Sequence, residues 1–166
     1  ETDLRPCGTI GQMLNEVQVL GLSFYYHQPT DIPEGRKLLI KAVNMLMDEV
    51  NQEKRIHPYL IRYPFLPRNI EIQILIRSPE GKDVTPGDLW SVEASEGFLR
   101  YDIDDPETKK LTTVYKETYE EALEKLKEPT SPLPSLQPET KKLSAEEWAR
   151  LRRGISMVDN GRNNSV

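Results

Sequence analysis

Ile70, Ile72, Ile74 and Ile76 alternate with Glu71, Gln73, Leu75 and Arg77, and no other stretch of this 166-residue chain restricts the fold as tightly. Side chains on a strand point alternately to its two faces, so the segment presents one wholly apolar face and one mostly polar face. The apolar face has to be covered. Upstream, Asp31-Ile32-Pro33-Glu34 offers a cap, an early proline and a first-turn acid. Leu38, Leu39, Ala42, Val43, Leu46, Met47 and Val50 then recur at helical spacing. The pattern predicts the main core helix, running to about Arg55 and roughly 35 Å long at ~1.5 Å per residue, which is enough to cover a small sheet.

Between these two elements Pro58, Pro64 and Pro67 hold residues 56–68 out of regular structure. After the isoleucine strand, Pro79-Glu80-Gly81 and Pro86-Gly87 punctuate a loop. Leu89 to Ala94 and Phe98 to Ile103 read as a hairpin around Ser95-Glu96-Gly97, and Leu111 to Tyr115 as a fourth strand. Trp90 is expected in the core, aligned with Val92 and Ala94 on one face of its strand. Thr118 and Glu121 form a capping box for a helix bearing Tyr119, Ala122, Leu123 and Leu126. At the other end, Ile10, Met13, Leu14, Val17 and Leu20 recur at helical spacing, and the expectation is a helix to about Leu20, broken by Gly21 and followed by a short extended piece. The fold class expected is α+β. About four antiparallel strands form a meander, packed on one face by the long helix, with flanking N- and C-terminal helices.

Four units are expected along the chain. Residues 1–128 are the α+β globular domain. Residues 129–142, spaced by Pro129, Pro132, Pro134 and Pro138, form an extended linker. Residues 143–157 form a tethered amphipathic helix, opened by Leu143-Ser144-Ala145-Glu146-Glu147-Trp148 with Ser144 and Glu147 as a capping box. Residues 158–166 are a polar, disordered tail.

Charge is divided the same way. Residues 129–166 hold six Lys and Arg against four acids, a balance of +2; the whole chain is at −5, so residues 1–128 sit at −7. An acidic body argues against general nucleic-acid binding, which needs clustered Lys and Arg to neutralise phosphates. No apolar run approaches the roughly 20 residues that span a bilayer, so no membrane insertion is expected. The lone Cys7 has no partner for a disulfide, a CxxC pair or a zinc knuckle. The chain begins at Glu1 rather than Met, which admits export after loss of an N-terminal segment as well as a cytoplasmic protein.

Candidate chemistry is sparse. His27 and His57 have no metal-ligand spacing and sit in different loops, and no cofactor or metal is expected. Asp102, Asp104 and Asp105 resemble the start of a calcium loop, but the sixth and twelfth positions hold Glu107 and Thr113 where glycine and glutamate are required. Asp-Asp-Pro reads instead as a tight turn. Two surfaces are better candidates for binding. One is the crossover 54–68, where Arg55, Tyr59, Arg62 and Tyr63 belong to a run with no acid between Lys54 and Arg68. There Tyr59, Leu60, Phe65 and Leu66 are expected to be packing anchors. The other is the tail helix, where Trp148, Leu151 and Ile155 fall on one face at the spacing of helix-in-groove anchors. Its expected partner is another protein or a second copy of the chain, unless it closes over its own core.

The function expected is a non-catalytic interaction domain, binding protein to protein. Two alternatives stay open: an acidic, dimeric secretion chaperone or adaptor, and a small enzyme using Asp102, Asp104 or a histidine.

Overall fold

The computed structural model describes residues 3–127, which form an α+β fold of one six-stranded mixed sheet and two helices. The strands β1 (Arg5–Met13), β2 (Val17–Tyr26), β3 (Ile70–Ile76), β4 (Leu89–Ser95), β5 (Phe98–Asp104) and β6 (Leu111–Thr118) lie side by side in chain order. Helix α1 (Ile32–Gln52) leads from β2 to β3, and α2 (Tyr119–Lys127) follows β6 directly. Because β2 and β3 are parallel, the chain between them has to recross the sheet, and α1 with residues 53–69 makes that crossing. The other neighbouring strands are antiparallel. No described helix is long and apolar enough to cross a membrane.

Alternation on β3 works as expected: Ile70, Ile72, Ile74 and Ile76 are fully buried, with Val92 and Ala94 of β4 and Leu99 and Tyr101 of β5 on the same face. Leu38, Leu39, Ala42, Val43 and Val50 of α1 cover them. The helix starts where its cap predicts, with the Asp31 carboxylate accepting from the Glu34 amide at 2.8 Å. The α2 box also forms, with Thr118 N–H donating to Glu121 at 2.8 Å and Glu121 N–H to the Thr118 hydroxyl at 3.1 Å. Between β4 and β5, Glu96 and Gly97 both take positive φ, as a two-residue primed turn requires.

Three expectations are corrected. Residues 9–20 are not a flanking helix but most of a hairpin, and the sheet has six strands rather than four, with one parallel pair. Gly8 and Gly11 weaken a helix there, and Val17, Val19, Phe24, Tyr25 and Tyr26 prefer the half-covered surface of a sheet. Trp90 is not aligned with Val92 in the core. A register irregularity between Leu89 and Ser91 turns it half out, under the Arg77 guanidinium at 5.1 Å. Tyr59 and Leu66 are exposed rather than buried anchors, whereas Leu60 and Phe65 are buried. The linker 129–142, the helix of 143–157 and the tail 158–166 lie outside the described residues.

Gly21 matters for a different reason than breaking a helix. It faces Glu71 across the parallel pair, where a Cβ would come within 2.9 Å of the Glu71 Cβ and 3.0 Å of its carbonyl carbon. Only glycine lets β2 approach β3 this closely. Gly21→Ala is therefore expected to cost about 1–3 kcal/mol, read from the urea midpoint. Gly8→Ala, whose added Cβ meets only Ser23 at 3.6 Å, should stay within about 0.5 kcal/mol; equal losses at both sites would contradict the close approach.

Candidate binding surface

The crossover from α1 to β3 combines a pinned backbone with exposed side chains. The Asn51 side chain, near the end of α1, grips residue 65 from both sides: its amide donates to the Phe65 carbonyl at 3.1 Å and its oxygen accepts from the Phe65 amide at 2.7 Å. Asn69 does the same at the far end, accepting from the Leu66 amide at 3.2 Å and donating to the Gln18 carbonyl at 3.0 Å. Midway, the Ile61 amide donates to the Val17 carbonyl at 3.0 Å, and Leu60 and Phe65 sink into the core. The loop is thereby held in one shape.

What it presents outward is unusual for an acidic chain. Tyr59 is 64% exposed, Tyr63 58%, Ile61 44% and Leu66 38%. Four of the eleven large apolar side chains exposed among the described residues thus fall within eight positions. Arg62 and Arg68 are exposed beside them. Of the sequence candidates, the structure places Arg55, Tyr59, Arg62 and Tyr63 on this one segment. Arg55 differs from the others in being held by Glu53, with guanidinium contacts of 2.9 and 2.7 Å, and this pairing lowers the Glu53 carboxyl to about 2. Tyr63 stacks on His57 with ring centroids 4.0 Å apart. Trp148, Leu151 and Ile155 lie outside the described residues.

The residues weighed for catalysis do not converge. His27 follows β2 and His57 follows α1, at opposite ends of the helix. Asp102 is engaged by the hydroxyls of Ser91 at 3.2 Å and Thr113 at 2.6 Å, and Asp105 accepts the Glu107 and Thr108 amides as a turn aspartate does. Among the described residues no group of three or more His, Cys, Asp and Glu is placed to hold a metal. A groove of about 410 Å³ lies at the entry to β1, lined by Asp3, Leu4, Arg5, His27, Gln28 and Pro79. Its charges are mixed: Arg5 stands opposite in sign to Asp3, which already accepts from the Gln28 amide at 2.8 Å.

The sequence reading missed the most perturbed set of titratable groups. Glu117 of β6 faces the core, with its side chain 1% exposed. Its carboxylate accepts from Arg36 of α1 at 2.7 Å, Tyr101 of β5 at 2.6 Å and Lys125 of α2 at 2.7 Å. Gly35 makes the first contact possible by bringing α1 onto the sheet, where a Cβ would already lie 3.0 Å from Val92. Burial acts to raise the Glu117 pKa, but the bonds from Arg36, Lys125 and Tyr101 overcome it and hold the carboxyl below its ordinary range. Burial and the bond to Glu117 push the Tyr101 hydroxyl up. No cavity opens onto the cluster among those described, and its role is to join four elements.

Removing the acid strands the largely buried Arg36 guanidinium, while Lys125 remains solvated, so Glu117→Ala is expected to cost about 3 kcal/mol in urea unfolding. The pH dependence has a definite sign. The folded pKa is depressed, so the carboxylate's contribution is complete above its unfolded value of about 4.3 and is lost as pH falls through the lower folded value. In Glu117→Gln the loss of stability as pH falls between those two values should be shallower, by up to about 1.4 kcal/mol per pH unit. Parallel acid limbs for the two proteins would count against the depressed carboxyl.

The chain matches no protein-family model, no curated protein and no solved structure.

Proposed function

We propose that this chain is a non-catalytic protein-binding domain whose contact surface is the crossover between α1 and β3. The observation that carries the reading is the concentration of Tyr59, Ile61, Tyr63 and Leu66 on a loop pinned through Asn51 and Asn69. Tyrosine and arginine dominate interface hot spots because they offer large contact area with few rotatable bonds. A loop already held in its bound shape has little entropy left to lose on association. Arg62 and Arg68 favour a partner surface with apolar pockets rimmed by carboxylates. Nucleic acid is the weaker partner, since the chain as a whole carries −5 and would repel phosphates beyond the loop. Catalysis is weaker still, with the histidines apart and Asp102 occupied.

Photo-reactive benzoyl-phenylalanine placed at Tyr59 or Ile61, in cells that make the protein, is expected to trap one common adduct, and none from Thr112 on β6. Tyr59→Ala combined with Arg62→Glu should leave stability within about 0.5 kcal/mol and remove the adduct formed from position 61. Adducts of equal strength from Thr112, or none at either loop position, would defeat the proposal.

A further inference from the structure

The two edges of the sheet are built differently. On β6 the run is broken at Val114, where the register shifts between Tyr101 and Asp102, and Lys116, Glu117 and the start of α2 follow. A bulge and charges are the usual means of discouraging further strand pairing. β1 carries neither within its centre. Its register irregularities fall at its ends, between Pro6 and Gly8 and between Gln12 and Met13, leaving Gly8–Gln12 as a regular ladder whose outer edge pairs with no other strand among the described residues. Every side chain of β1 is exposed except the half-buried Ile10. Both helices make their main contacts with β3 to β6, so among the described residues neither helix overhangs this edge.

We propose that β1 pairs antiparallel with β1 of a second copy, continuing the sheet across a two-fold axis at Ile10. Three observations favour a second copy over an unrelated extended peptide. Strand addition draws its specificity from pockets for alternate side chains, and Gly8, Gly11 and the facing Ser23 and Gly21 offer none along this stretch. Symmetry supplies a register without pockets, because a two-fold contact is self-complementary. In that register Ile10 meets Ile10, Thr9 meets Gly11 and Gly8 meets Gln12, so a β-branched pair sits on the axis and no charge faces a like charge. Lastly, the chain holds 27 acids, yet none lies between Asp3 and Glu16. Two acidic copies can approach along this edge with less repulsion than along one that carries acids. The inference does not depend on the crossover, which lies between α1 and β3 and remains available to another partner.

Sedimentation equilibrium across a concentration series is expected to show a reversible dimer, weak for a single strand-to-strand contact and roughly micromolar. Hydrogen exchange should show the amides of Gly8–Gln12 gaining protection as the dimer forms. Ile10→Lys sets two ammonium groups face to face and should abolish the dimer while the thermal midpoint of the monomer is kept. In a Cys7→Ser background, Ile10→Cys should give a disulfide-linked dimer on mild oxidation, and Thr112→Cys on the opposite edge should not. A chain that stays monomeric throughout overturns the inference and leaves the crossover reading intact. So does a dimer that survives Ile10→Lys, or one whose β1 amides exchange at the monomer rate.

Discussion

A carboxylate taken out of water must be met by donors, and Glu117 obtains them from separate elements: Arg36 from α1, Tyr101 from β5 and Lys125 from α2. That requirement organises the helical layer. The isoleucine face of β3 would accept an apolar helix at a range of angles, because hydrophobic contact is non-directional. Three short bonds to one buried acid are directional, and they select an arrangement in which the second turn of α1, the middle of β5 and α2 all reach the same point. Gly35 is the matching concession on the helix side, giving up a side chain so that the backbone can come close to Val92 and Tyr101. The pairing is stabilising only while complete, since Glu117, Arg36 or Tyr101 left alone would be a buried, uncompensated polar group.

The parts of the fold that sequence made legible are those whose signals are local. Asp31 and the Thr118–Glu121 box mark helix starts because the capping atoms come from the same few residues. Glu96-Gly97 marks its turn through backbone conformation alone, and β3 alternates because one face is fully covered. Residues 5–26 were opaque for the complementary reason. β1 is exposed on both faces, so burial imposes no alternation, and the chance recurrence of Ile10, Met13, Leu14 and Val17 looked helical. The parallel pairing of β2 with β3 depends on Gly21 and Glu71, fifty residues apart, which no window can see. Glu117 lies in the charged run from Lys116 to Glu121 and reads as a solvated acid; the one available clue is that it shares a strand face with the half-buried Tyr115.

The candidate surface was legible in composition and only partly in geometry. Basic and aromatic residues between Lys54 and Arg68 flag the crossover, but composition cannot say which of them the fold consumes. The structure divides them. Leu60 and Phe65 go to the core and Arg55 to Glu53, while Tyr63 spends part of its ring on His57. Tyr59 and Leu66 face outward because Asn51 and Asn69, two polar side chains with no special mark in the sequence, secure the loop by its backbone and make further apolar anchors unnecessary.

That substitution of polar pins for apolar anchors is what separates this loop from an ordinary packed connection. A loop held by burying its own aromatics has none left for a partner, and a loop held by nothing must be ordered when it binds, at a cost that grows with every residue fixed. Here the backbone is fastened largely through amide and carbonyl groups that would need partners in any case, so the side chains between the pins, Leu60 and Phe65 apart, are released from structural duty. Exposed tyrosine, isoleucine and leucine on such a frame are not explained by stability, because leaving them in water gains nothing that a polar residue would not also give. The charge pattern sharpens the point: within a body at −7, the loop carries no acid from Lys54 to Arg68, so a departure from the acidic surface coincides with a place where the fold leaves contact groups unspent.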